Sequence, residues 1–194
     1  MRPAKIKEEK LVEQLMEIFR RKGYEGTSYA DLMKATGLVK ASLYHRFPGG
    51  KEEMVNALLE EVDRQFAKHV LAPAYEEGDP AGRARLIARR LQKFYGDGKR
   101  SCLLDVLSLG ENRSTLNHAR KSMEFWLESL ARIGKDAGLQ PKMARKRAEE
   151  AVASVEGGLV LARVLGNQRP FLRVLASLPQ SLTQKPELVG QGRV

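Results

Sequence analysis

The chain has a single cysteine, Cys102, so no intrachain disulfide framework is available to it. This absence suits a reducing compartment, and the expected location is the cytoplasm. The first ten residues are charged and no apolar run follows them, so no export signal is read. Every apolar stretch is soon interrupted by charge, which excludes a membrane-spanning helix. Alternating Val-Ile-Thr patterns are missing, which argues against strands, and there is no internal repeat. Catalytic signatures are missing as well. There is no glycine-rich phosphate loop, no Cys-x-x-Cys pair and no His-Glu-x-x-His, and His45, His69 and His118 are scattered. No metal, cofactor or enzymatic activity is therefore expected.

Acidic residues are in the minority, 24 against 34 lysines and arginines, and the formal net charge is +10. That balance favours a polyanionic partner. It does not locate the site, because Arg83, Arg85, Arg89, Arg90, Lys142, Arg145, Lys146 and Arg147 lie far along the chain. Apolar spacings of three and four recur throughout, so the expected fold is all-α. The first helix carries Leu11, Leu15, Ile18 and Phe19 on one face and ends at Gly23.

Residues 23–53 carry the most information. Ser28 and Asp31 form a variant capping box at the start of a short helix, in which Leu32 and Ala35 share a face. Gly37 permits a sharp turn and Leu38 packs its corner. A second short helix follows from Val39 to Phe47, with Leu43 and Phe47 facing inward. Its other face presents Lys40, Ala41, Ser42, Tyr44, His45 and Arg46, and Pro48-Gly49-Gly50 stops it. This is the layout of a helix-turn-helix, whose second helix enters the major groove.

These residues resemble the TetR family of transcription regulators. The resemblance rests on Gly23, Tyr24, Thr27, Ser28, Asp31, Leu32, Gly37, Lys40, Ser42, Leu43, Tyr44, Phe47 and Lys51, in order. Phe47-Pro-Gly-Gly-Lys-Glu-Glu and the later Ser101-Cys-Leu-Leu are similar to the LmrA/YxaF-type branch. Val39 departs from the pattern, standing where many members have a small polar residue.

The resemblance implies an N-terminal three-helix DNA-binding domain over residues 5–65, with the helix-turn-helix at about 28–47. A helical ligand-binding and dimerisation domain would follow over 66–179, then a mobile polar tail over 180–194. It implies a homodimeric repressor released from a palindromic operator by a small hydrophobic or aromatic effector. The alternative is a DNA-bound structural or interaction protein of nucleoid-associated type without an inducer. Lys40 would reach guanine or phosphate, Ala41 and Ser42 would let the helix sit deep, and Tyr44, His45, Arg46 and Lys51 would hold phosphates. Thr27, Ser28 and Tyr29 would flank the other strand.

Beyond residue 66, the helical pattern resumes after the Asp79-Pro80 start signal. Phe94, Cys102, Leu104, Asp105, Leu109, Phe125, Trp126 and Leu130 are the candidate effector-site residues, and ordinary core is the competing reading for them. Asp105 stands out as a charge within an apolar run, which needs a partner such as an arginine, a helix end or a cationic ligand. A late helix opened by Pro141 contains Gly157-Gly158, which suggests close approach of another helix. Val152, Val155, Gly157, Gly158 and Leu159, with Phe171, Val174 and Leu175 of the final helix, are the candidate dimer surface. Packing inside one subunit is the alternative. The final helix is expected to stop at Pro179.

Overall fold

The computed structural model describes residues 8–185, and within them the chain forms nine α-helices and no strand. The N-terminal helices are α1 (Glu8–Lys22), α2 (Tyr29–Thr36), α3 (Lys40–Arg46) and α4 (Gly50–Phe66). Leu11, Leu15, Ile18 and Phe19 of α1 meet Leu32, Leu43, Phe47 and the α4 residues Met54, Val55, Leu58, Leu59 and Val62 in one buried cluster. The capping box forms as read. Asp31 N–H donates to Ser28 Oγ at 3.2 Å, and Ser28 N–H donates to the Asp31 carboxylate at 3.1 Å. Gly37 takes φ +69°, where a side chain would strain the turn.

The fourth helix is shorter than a continuous run to Leu71. After Phe66 the chain widens into a π turn over Ala67–Leu71 and then tightens into a 3-10 turn over Ala72–Tyr75. Pro73 explains this, since its ring clashes with the fourth preceding carbonyl and it has no N–H to continue the ladder. Val70, Leu71 and Ala74 remain buried through the irregular stretch.

The remaining helices are α5 (Pro80–Phe94), α6 (Leu103–Ser108), α7 (Arg113–Asp136), α8 (Pro141–Leu165) and α9 (Arg169–Thr183). Helices α5, α7, α8 and α9 enclose a second apolar cluster that includes Ile87, Leu91, Trp126, Leu130, Val155, Leu159, Phe171 and Leu175. Arg83 belongs to this scaffold rather than to a basic surface. It is 8% exposed, pairs with Asp136 at 2.7 Å and donates to the Glu76 carbonyl at 2.7 Å.

Two expectations are corrected here. Pro179 lies inside α9, which continues to Thr183, so residues 180–183 are helix rather than tail. An internal proline costs about 3 kcal/mol. Leu178 and Leu182, one turn apart and both fully buried, draw the helix through it. The remainder of the expected tail, from residue 186, lies outside the described residues, as do residues 5–7. Second, α6 does not belong to the rear of the molecule alone. Leu103 and Leu107 are part of the N-terminal cluster, so residues beyond 66 help to build the core beneath the helix-turn-helix.

Candidate DNA-reading face and cavities

The α3 face is built as its sequence implies. Leu43 is fully buried and anchors the helix, leaving Lys40, Ala41, Tyr44 and His45 exposed and Ser42 and Arg46 half-buried. Tyr29 and Tyr44 stack with ring centroids 5.1 Å apart and planes 16° from parallel. The Lys40 ammonium sits over both rings, at 5.3 and 5.8 Å. The stack ties the start of α2 to the reading helix and leaves a cation at its tip. Burial, then the neighbouring Tyr44, pushes the Tyr29 hydroxyl up to about 12, so it stays protonated and can donate. Val39, the residue that departs from the family pattern, is 55% exposed at the N-terminus of α3.

Three residues placed on this face by sequence do other work. Thr27 is 1% exposed and its hydroxyl donates to the Gly23 carbonyl at 2.6 Å, so its side chain is closed to DNA. The Ser28 hydroxyl is engaged with Asp31. Lys51 donates to the Tyr24 carbonyl at 2.8 Å and the Thr27 carbonyl at 2.9 Å, with its ammonium 4.5 Å from the centre of the Tyr24 ring. Two of its three donors thus brace α4 against the α1–α2 turn. A lysine after a helix stop signals phosphate binding in sequence, and only the folded chain shows carbonyls converging on it.

Behind this unit lies a small apolar cavity with a volume of about 20 Å³. Phe94, Cys102, Leu104, Phe125 and Trp126 line it, together with Phe66, Val62 and Arg20. Phe66 meets Phe94 and Trp126 edge-on, each at 5.1 Å between centroids. The Trp126 indole N–H is buried without a protein acceptor. Phe66 was missed by sequence because it falls at the end of α4, where the pattern reads as core.

The other effector candidates lie elsewhere. Leu130 is fully buried core. Leu109 is 83% exposed and borders a separate open cleft. Asp105 is in the first turn of α6, where a helix end favours a carboxylate, and its charge bears on Glu156. Burial, and secondarily Asp105, pushes the Glu156 carboxyl up to about 7, with a hydrogen bond from Cys102 opposing. Burial pushes the Cys102 thiol up to about 12, and the Glu156 charge adds to this. A thiol held protonated is a poor nucleophile and a poor redox sensor.

The candidate dimer surface changes most. Val152, Val155, Leu159, Phe171 and Leu175 are 0–6% exposed within the single chain, and Val174 is half-buried. A Cβ on Gly158 would lie 3.1 Å from the Phe171 Cα, so this glycine admits α9 of its own chain. These residues are spent on the monomer core. The neighbouring face of α8 is open: a Cβ on Gly157 would meet nothing within 4 Å. Val160, Leu161, Val164 and Leu165 are 38%, 50%, 73% and 62% exposed. Positions 157, 160, 161, 164 and 165 follow helical spacing and form one apolar stripe.

A helix-turn-helix with a cationic, tyrosine-backed reading helix, carried on an all-helical body, defines a DNA-binding transcription regulator. The comparisons agree. Residues 11–58 match the family described as bacterial regulatory proteins, tetR family. Over 185 residues the chain is 26% identical to the HTH-type transcriptional regulator LmrA of Bacillus subtilis, covering 90% of this chain and 95% of that one. It is 39% identical over 69 residues to the HTH-type transcriptional repressor ComR of Escherichia coli, covering 35% of this chain and 32% of that one. A TetR transcriptional regulator from Legionella pneumophila has the same fold, with a TM-score of 0.81 and 21% identity over 93% of this chain and 99% of that one. The match places the DNA-binding segment, residues 11–58, in the TetR family, and the chain as a whole shares the fold of a TetR regulator. None of its described helices is long and apolar enough to cross a membrane.

Proposed function

We propose that the protein is a homodimeric repressor, released from an inverted-repeat operator by a small, largely apolar aromatic ligand. The carrying observation is the coupling of the two cores. Phe94 and Leu104 pack against both apolar clusters and also line the cavity. Phe66 ends the helix that Lys51 braces to the α1–α2 turn. A ligand that parts Phe66, Phe94 and Trp126 would displace the end of α4, whose other end is braced beside the reading helix. Its polar atom would be an acceptor, to satisfy the Trp126 N–H. Binding shifts the DNA-competent population only by the ligand's preference for the opened form.

On DNA, Lys40 and Val39 would face base edges, the latter offering an apolar contact of the kind a thymine methyl accepts. Tyr44, His45 and Arg46 would contact phosphates. Two such helices about a two-fold axis would read half-sites roughly 34–36 Å apart. The repressor direction draws support from the regulator ComR, whose name describes a repressor. The closed state of the cavity, at about 20 Å³, favours the second reading, a DNA-bound structural protein without inducer.

One experiment separates them. Genomic fragments retained by the protein are footprinted, and aromatic compounds are screened by Trp126 fluorescence, melting temperature and operator release. The proposal expects one short palindrome and a compound that moves all three signals. Scattered sites, with no compound moving any signal, would establish the structural reading.

A further inference from the structure

A second recess lies apart from the apolar cavity. It is an open cleft of about 580 Å³ where the end of α1 and the α1–α2 turn face the α5–α6 loop and α8. Its wall is dominated by Arg20, Arg21, Lys99, Arg100 and Arg163. Glu17 and Glu25 also border it, while Lys22 is already paired with Asp31 at 2.5 Å.

Some cations outside the cleft are neutralised by neighbouring carboxylates. Arg85 pairs with Asp79 at 3.1 Å, Arg145 with Glu149 at 2.7 Å, and Arg147 with Glu150 at 3.4 Å. Among the described residues, by contrast, no carboxylate lies within ion-pair distance of Arg20, Arg21, Lys99, Arg100 or Arg163. Arg163 instead donates to the Ser101 hydroxyl at 2.6 Å, which fixes its head beside the loop. Arg20 Nε is buried and has no protein acceptor. Burial, and then the Arg100 charge, lowers the Arg20 pKa, so the site holds positive charge at a cost that an anion would offset. Guanidinium groups present planar forks matched to carboxylate and phosphate oxygens.

We propose that this cleft is a second effector site, which takes a small organic anion through a carboxylate or phosphate held by Arg20, Arg100 and Arg163. The bound anion bridges the two halves of the fold. Arg20 belongs to α1 of the helix-turn-helix unit, whereas Arg100 and Arg163 belong to the α5–α6 loop and α8. Occupancy thus clamps α1 against the regulatory helices and changes operator affinity. Arg20 lines both this cleft and the apolar cavity, whereas Arg100 and Arg163 line the cleft alone, so variants of these two separate the sites.

The test uses inorganic phosphate and hexanoate as separate probes, at constant ionic strength set with chloride. Arg100→Gln/Arg163→Gln empties the cleft of two exposed cations. Arg89→Gln/Arg173→Gln removes the same charge from exposed sites elsewhere. At least one probe should raise the melting temperature of the unaltered protein saturably and shift its operator affinity several-fold. A phosphate response alone or a hexanoate response alone identifies the head group. The cleft variant should need at least ten-fold more probe, and the control variant no more than the parent. Equal weakening in both variants would show diffuse attraction to a chain of net charge +10 and overturn the site. So would no saturable response to either probe, or binding that leaves operator affinity unchanged. A loss of about two phosphate contacts from the salt dependence of binding random duplex, in the cleft variant only, would make the cleft a DNA-backbone contact instead.

Discussion

If the proposed homodimer pairs through the open stripe of α8, truncating that stripe tests it directly. Val164→Ala with Leu165→Ala removes the two most exposed apolar side chains of that stripe, at 73% and 62% exposure, and keeps a strong helix former at both positions. Each buried methylene is worth about 0.8 kcal/mol. Scaled by the exposed fractions, the double truncation forfeits about 2.7 kcal/mol of association energy per copy. A two-fold interface contains the stripe twice, so the dimer loses about 5 kcal/mol if it covers these side chains completely. At about 1.4 kcal/mol per decade, the dissociation constant rises by about three to four orders of magnitude. Sedimentation equilibrium over a concentration series measures it directly. The monomer itself should melt normally, because neither side chain contributes to its core. Operator affinity should fall with dimerisation, since a lone subunit grips one half-site. A dissociation constant within three-fold of the parent would refute the assignment of this face.

Four further outcomes follow from the same structure. Glu156, whose carboxyl is pushed up to about 7 from 4.5, makes the fold lose stability as pH rises from 4.5 to 7, because the unfolded chain releases its proton first. Glu156→Gln should abolish that slope, raising stability by about 3 kcal/mol at pH 8 and leaving it unchanged near pH 4.5, as urea titrations will show. Lys51→Met should lower stability by about 1–3 kcal/mol and weaken binding to every duplex. Lys40→Ala should leave melting unchanged and relax discrimination at one base position by about 1–3 kcal/mol, read from competition with operator variants. Gly158→Ala drives a Cβ to 3.1 Å from the Phe171 backbone, whereas Gly157→Ala enters open space, so the former should melt below the latter in calorimetry of the monomer.

Local chemistry made the helix-turn-helix legible in the sequence. Ser28 and Asp31 are three residues apart, Gly37 needs a left-handed turn, and Leu43 and Phe47 are four apart, so each feature is decided within one or two turns of chain. The class of protein followed from that short segment and its order of residues. What tertiary structure decided is which face each rear helix turns inward. The second half of α8, residues 151–165, is apolar on most sides, so Val155 and Val164 look alike in sequence, and only packing against α7 and α9 buries one and leaves the other in solvent. The same holds for Lys51, whose acceptors are carbonyls more than twenty residues away, and for Pro179, which Leu178 and Leu182 override by burial. The cationic cleft was invisible for this reason too: Arg20, Arg100 and Arg163 come from three distant segments, and charge has no periodicity that reveals where those segments meet.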